Sequence, residues 1–254
     1  MNIKESLNNW AVDAIEKLNA VSKNTATQYY LQSPLDQINT RIDTLVLGIN
    51  PGSTESGVTK MESPEEFLKG NPTWRYRFQC EEEGAHVSPL WAKYFGNAHF
   101  MIYGDQERHN LLTDNDSKTV WQNLTPFATP DASKLSKEHF ESGIPVAVQL
   151  IDILKPKRIV LLTTNGFNLL GQYARVESSP IVKDITTNRM IEMGTIEKIP
   201  TIQLPHPSGD WGMPKFIIPM IVKMHRLHAV DEKVNSLEEA ATKIKNQLKR
   251  IEVM

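Results

Sequence analysis

Short apolar runs limit what this chain can fold into more than any other feature. Thr44-Leu45-Val46-Leu47, Ile159-Val160-Leu161-Leu162 and Ile199 to Leu204 carry little or no polar alternation. Such runs read as strands buried on both faces, as in parallel sheets. A further run, Val120-Trp121-Gln122-Asn123-Leu124, is stopped by Pro126. Helical patterns lie between and around the runs. Ser6 to Lys23 puts Trp10, Ala14, Ile15, Leu18 and Val21 on one face. Ser136 to Leu154 turns Phe140, Val146, Ala147, Leu150, Ile151 and Leu154 inward, with Pro145 expected to kink or break it. Thr163-Thr164-Asn165-Gly166 precedes a short helix to Leu170, and Pro214 suits the first turn of a helix reaching about His228. Ser236 opens a last helix to near Arg250, with Glu239 as the matching capping-box acid. Strands alternating with helices predict an α/β protein with a doubly wound parallel sheet. We expect a single domain over residues 1–254, with helices at about 2–23 and 236–250 added to the core. Ser178 to Lys198 reads as a β-ribbon or a long loop, and Lys155 to Arg158 as a turn. Thr54 to Gly104 is irregular and rich in proline and aromatics; a pocket wall and short helices are expected there.

The composition excludes several classes. No apolar run approaches the length of a membrane span, and Met1 to Glu5 lack the apolar core of a secretory signal. The expectation is a protein that is not secreted, cytoplasmic in a bacterium or nuclear in a eukaryote. Cys80 is the single cysteine, so no internal disulfide can form, and a cluster needing four thiolates is disfavoured. No clustered His/Asp/Glu set suggests a metal site, and no cofactor is expected. The formal net charge is −2, so any nucleic-acid face must be local. No Gly-x-Ser-x-Gly elbow, Walker loop or dinucleotide fingerprint stands in the right place.

Two of the runs end in loops rich in glycine and proline. Thr44–Leu47 leads into Gly48-Ile49-Asn50-Pro51-Gly52-Ser53, and Ile199–Leu204 into Pro205-His206-Pro207-Ser208-Gly209. Glycines at 48 and 52 would allow a sharp turn and a close backbone approach to a ligand. Loops at the carboxyl ends of parallel strands are where open α/β sheets bind ligands. The bland alternative is an ordinary strand-to-loop turn, which favours the same residue types. Gly48-Ile49-Asn50-Pro51-Gly52 resembles the first motif of the uracil-DNA glycosylase superfamily, and His206-Pro207-Ser208 resembles the second. The nearest likeness is to the single-strand-selective monofunctional uracil glycosylases and their bacterial relatives. It covers roughly residues 40 to 225. It implies a three-layer α/β/α sandwich around a mainly four-stranded parallel sheet.

The resemblance also implies roles. Asn50 and His206 would be catalytic. Asn50 has no useful basicity, but it can hold a water through hydrogen bonds, which predicts a slow enzyme. His206 can donate to a base oxygen that becomes anionic. Asn123, followed by Pro126, matches the asparagine that reads the base; alone it could equally be a buried asparagine satisfying a turn. Its amide would accept from uracil N3–H and donate to O4, a pattern that cytosine reverses. Gly48, Ile49, Pro51 and Gly52 would line the base site. Phe78 is preferred over Trp74 and Tyr76 as the stacking aromatic. Ser53 and Ser208 would grip phosphates. Pro207, Gly209, Trp211 and Met213 would contact the backbone or wedge into the stack. After Ser208 the chain departs from the family pattern, which often has a second proline there, and Asp210 would face phosphates unfavourably.

The expected function is a monofunctional DNA glycosylase that excises uracil or a related deaminated base, acting as a monomer. Its partner would be single- or double-stranded DNA carrying such a base. No matched position is a lysine that could form a Schiff base. The alternative is a weak or inactive nucleic-acid-binding protein of the same fold. An unrelated α/β hydrolase or nucleotide-binding enzyme is the third reading.

Overall fold

A computed structural model describes residues 2–36, 38–53, 56–71, 101–104, 118–183, 190–207 and 217–230, and also residues 236, 239, 242–244 and 246. The chain divides into two compact units: Met1–His86 with Asn110–Pro156, and Val87–His109 with Lys157–Met254.

The first unit opens with α1 (Ile3–Thr25). Asn2 caps it by accepting the Lys4 N–H, and Ala26 ends it in the left-handed conformation. The predicted face is buried in full, with Leu7, Ala11 and Ser22 added to it. Strand β1 (Thr44–Gly48) pairs in parallel with β2 (Thr119–Asn123), placing Gly48 opposite Asn123. Every residue of β1 is buried, which explains its lack of alternation. A short helix α2 (Pro64–Leu68) follows β1, capped by Ser63. After β2 comes α3 (Lys137–Leu154), whose Ser136 and His139 side chains form a reciprocal cap. It packs on α1, and Trp10 Nε1 donates to the Val146 carbonyl at 3.0 Å.

Two expectations for α3 are corrected. Of the kink or break expected at Pro145, the break does not occur: the helix runs through it to Leu154. The helical bond lost is to the carbonyl of Glu141, an exposed residue that water can reach. Phe140 is only half-buried; His139 is the buried residue of that turn, stacked on Phe127 at 4.6 Å between ring centroids.

The second unit holds β3 (Arg158–Leu162), α4 (Gly166–Leu170), β4 (Val176–Lys183), β5 (Met190–Ile196), β6 (Ile199–Leu204) and α5 (Ile217–Ala229). Strands β3 and β6 are parallel, whereas β6–β5 and β5–β4 are antiparallel. The sheet is therefore mixed: β1–β2 and β3–β6 are parallel pairs, and the β4–β5 ribbon adds antiparallel strands on β6. The cause is local. Glu197 and Lys198, joining β5 to β6, both have positive φ (49° and 68°), as a two-residue hairpin turn demands. That turn folds the chain back at once, so β5 cannot run parallel to β6. The described parts of the 178–198 stretch thus form the ribbon of the two expected forms, with β4 paired antiparallel to β5. Asn165 stands at the N-cap of α4 without a side-chain cap bond; Gln203 of β6 accepts the Phe167 N–H instead, at 2.9 Å.

Arg158, expected in a turn, begins β3 and is fully buried, with its guanidinium donating to the Ile102 carbonyl. The helix expected from Pro214 is described from Ile217 onward. Of the last helix, Glu239, Thr242–Ile244 and Asn246 are helical, and Ser236 Oγ accepts the Glu239 N–H at 3.0 Å. No helix among the described residues is long and apolar enough to cross a membrane.

Candidate functional site

The loop after β1 is laced to the loop after β2. The carbonyls of Gly48 and Ile49 accept the N–H groups of Leu124 and Thr125 at 2.8 and 2.9 Å. Further along, Thr129 N–H donates to the Pro51 carbonyl at 3.2 Å, and Ser53 N–H donates to the Thr129 carbonyl at 3.1 Å. The two loops thus continue the parallel pairing of β1 and β2 beyond the strands, with Gly52 bridged to Thr129. A loop held this way presents its side chains in fixed directions.

Asn50 shows the result. Its Nδ2 donates to the Pro51 carbonyl at 2.9 Å and to Thr129 Oγ1 at 2.9 Å, with the Thr129 carbonyl at 3.3 Å. Both carbonyls can only accept, and the Thr129 hydroxyl spends its proton on the Asp131 carbonyl at 2.7 Å. The amide can therefore sit only one way round. Its nitrogen is consumed, and no described residue hydrogen-bonds Oδ1. Asn50 is half-buried, and its oxygen is an acceptor fixed in direction. The donor role that sequence reasoning allowed for Asn50 is taken up inside the protein.

Asn123 closes β2 at the same end of the strand pair. Its Oδ1 lies 2.6 Å from the point where a Cβ on Gly48 would stand. Gly48 is thus demanded by the close approach of Asn123, and the expectation that it turns the chain sharply is corrected. Neither Gly48 nor Gly52 has a positive φ, and a Cβ on Gly52 would meet nothing within 4 Å. Asn123 Nδ2 donates to Gln32 Oε1 at 3.3 Å. Gln32 is itself buried and pinned: its N–H donates to Gln122 Oε1 at 2.9 Å, and Gln122 Nε2 donates to the Ser33 carbonyl at 2.8 Å. Ser33 in turn pairs with Trp121 through both backbone and hydroxyl. A cavity of about 10 Å³ touches Asn123 and Gln122 on the side of Trp10 and Leu150. It has room for about one water and none for a base.

In the second unit, His206 stands just past the carboxyl end of β6, after Pro205. Its surface reaches solvent, yet enough protein surrounds the ring for desolvation to hold its pKa below the ordinary histidine value. At neutral pH the imidazole is therefore uncharged and able both to donate and to accept. Pro207 beside it is buried.

Asn50, Asn123 and His206 each occupy the carboxyl end of a strand with a parallel partner. The structure brings Gly48, Ile49, Asn50, Pro51, Gly52, Ser53 and Asn123 together in the first unit. Phe78, Trp74 and Tyr76, and also Ser208, Gly209, Trp211 and Met213, lie outside the described residues. Among the described residues, no three His, Cys, Asp or Glu side chains gather as metal ligands would.

No protein-family model and no curated protein matches this chain.

Thr129 and Gln32 were missed in the sequence. Neither lies in an apolar run, and each reaches its asparagine across a long separation, 79 residues for Asn50–Thr129 and 91 for Asn123–Gln32. The turn-like polarity of Thr129 and Asp131 was the one local signal available.

Proposed function

We propose that this chain is a monofunctional DNA glycosylase that hydrolyses the N-glycosidic bond of uracil or a related deaminated base, on a uracil-DNA-glycosylase-like α/β/α fold. The observation that carries the reading is the one-way amide of Asn50, held at the same carboxyl end of the β1–β2 pair as Asn123. Cleavage of this bond builds positive charge on the sugar and negative charge on the base. A water beneath C1′ then needs orientation more than deprotonation. A lone, rigid acceptor such as Asn50 Oδ1 supplies orientation and no basicity, which suits a slow enzyme.

Asn123 would read the Watson–Crick edge, with Oδ1 accepting from N3–H and the remaining Nδ2 proton going to O4. His206, neutral at working pH, would donate to the oxygen of the departing base and gain strength as charge develops there. The reading requires His206 to reach the same nucleotide as the two asparagines. The base must leave any helix before it is gripped.

The second reading, nucleic-acid binding without catalysis, draws on the net charge of −2 and on Asn50 standing where a carboxylate would be more reactive. Incubation with a labelled single strand carrying one uracil, followed by alkali, separates the two. Strand scission at the uracil supports the glycosylase. Retention of the strand without scission at enzyme excess overturns it in favour of the binding protein.

A further inference from the structure

We propose that Gln32 is a positioning residue that sets which way round the Asn123 amide stands, and through it which base the site accepts. The inference rests on the glycosylase reading and adds to it a residue that does not touch the substrate.

The two ends of a carboxamide are similar in shape and opposite in hydrogen bonding. An Asn123 amide turned over would offer N–H where uracil N3 needs an acceptor, and an oxygen where O4 needs a donor. That arrangement suits cytosine. The protein must therefore hold one orientation against the other, and two contacts do so. On one side, Asn123 Nδ2 donates to Gln32 Oε1 at 3.3 Å. On the other, Oδ1 rests above the Cα of Gly48, so close that a Cβ there would come within 2.6 Å. Turning the amide over would press its NH₂ hydrogens against the Gly48 methylene. With Gln32 kept as it stands, it would also leave two acceptors, Asn123 Oδ1 and Gln32 Oε1, facing each other.

The backbone that carries Gln32 is held in place. Its backbone N–H is held by Gln122 Oε1, and the next carbonyl, that of Ser33, by Gln122 Nε2. Gln122 and Asn123 are consecutive on β2, so their side chains leave opposite faces of the strand. One grips the backbone of the 32–33 segment, and the other meets the side chain of Gln32. The segment runs beside the strand it instructs, and the side chain at 32 is 6 % exposed, too little for water to take over its role.

The test uses full-length protein, single strands carrying one uracil, and matched strands with cytosine at that position. Single-turnover excision is measured for the parent, Gln32→Met and Gln32→Glu. Methionine keeps the volume and removes the acceptor; glutamate keeps an acceptor and cannot donate. Gln32→Met is expected to lower uracil excision and raise the cytosine-to-uracil ratio by about tenfold, the scale of one neutral hydrogen bond. Gln32→Glu is expected to keep the parental ratio. A merely structural role would move rate and melting temperature together and leave the ratio alone. Uracil excision by the parent, with the same ratio in both variants, overturns the role of Gln32 and leaves the glycosylase reading standing. No uracil excision by the parent overturns the glycosylase reading, and base selection by Gln32 falls with it. Should Gln32→Met fail to fold, the side-chain amide protons of Asn123 in the parent decide by NMR. One proton slowed in exchange supports the contact; two freely exchanging protons in the parent overturn it.

Discussion

Gly48→Ala should damage the site through Asn123 rather than through the backbone. The added methyl would stand 2.6 Å from Asn123 Oδ1, whereas ordinary contact begins near 3.4 Å. One partner must retreat by about 0.8 Å, the difference of those distances. Gly48 is the last residue of a fully buried strand whose register with β2 places it opposite Asn123. The side chain therefore gives way first, and it does so against its bond to Gln32. Overpacking of this kind costs about 1–3 kcal/mol, offset by the roughly 0.5–1 kcal/mol that alanine gains over glycine in a strand. Net destabilisation should thus be modest, about 1 kcal/mol. The effect on chemistry should be larger, because an ångström of misplacement costs on the order of 100-fold in rate. We expect single-turnover uracil excision to fall between about 10- and 100-fold at saturating enzyme. Gly52→Ala is the control within the same motif: its Cβ enters open space without a positive φ, so stability should stay within about 0.5 kcal/mol of the parent. The assay pairs single-turnover excision with urea unfolding for all three proteins. A Gly48→Ala protein that excises uracil at the parental rate would refute the reasoning, as would equal losses of stability in both glycine variants.

Asn50→Ala and His206→Ala should each slow single-turnover excision by about 100-fold with DNA affinity little changed, and Asn50→Ala should also lose about 1 kcal/mol of stability with its bonds to Pro51 and Thr129; near-parental rates in stable proteins would remove both from the catalytic machinery. Because desolvation keeps the His206 pKa below the ordinary value, its neutral form already dominates near neutrality. The excision rate should therefore be flat from about pH 6.5 to 8.5, while a tenfold loss per unit above pH 6.5 would indicate a catalytic imidazolium instead. His225 on α5 is wholly buried, neither ring nitrogen has a hydrogen-bond partner among the described residues, and burial, then Arg158 and His228, push its pKa well below the usual value. The unfolded chain therefore takes up this proton first, so stability is full above about pH 6.5 and lost below it at about 1.4 kcal/mol per pH unit. His225→Leu should be more stable than the parent by about 1–3 kcal/mol at pH 7.5 and by a wider margin at pH 5; parallel urea-unfolding profiles for the two proteins would contradict this. Asn-Gly in place of Glu197-Lys198 should raise stability by about 1 kcal/mol, since both positions need positive φ; an unchanged or lower unfolding midpoint would count against the turn.

What the sequence by itself determined was local in origin. The burial of β1 and β3 follows from their uninterrupted apolar runs, and the inner face of α1 from its 3.6-residue period. The positions of Asn50, Asn123 and His206 at strand ends follow from where those runs stop. Periodicity reports what a segment buries, and not which way a neighbouring strand runs. The direction of β5 was decided by two residues in the left-handed region, Glu197 and Lys198, which lack the Asn-Gly character that announces such a turn. The orientation of both asparagine amides was likewise invisible. Thr129 and Gln32 help to set it through contacts across 79 and 91 residues, and a polar side chain in a loop carries no mark of its distant partner. Gly48 shows the same division. Its place in the motif is plain in the sequence, but its reason for being glycine is the oxygen of a side chain on the adjacent strand, which only the folded chain brings within reach.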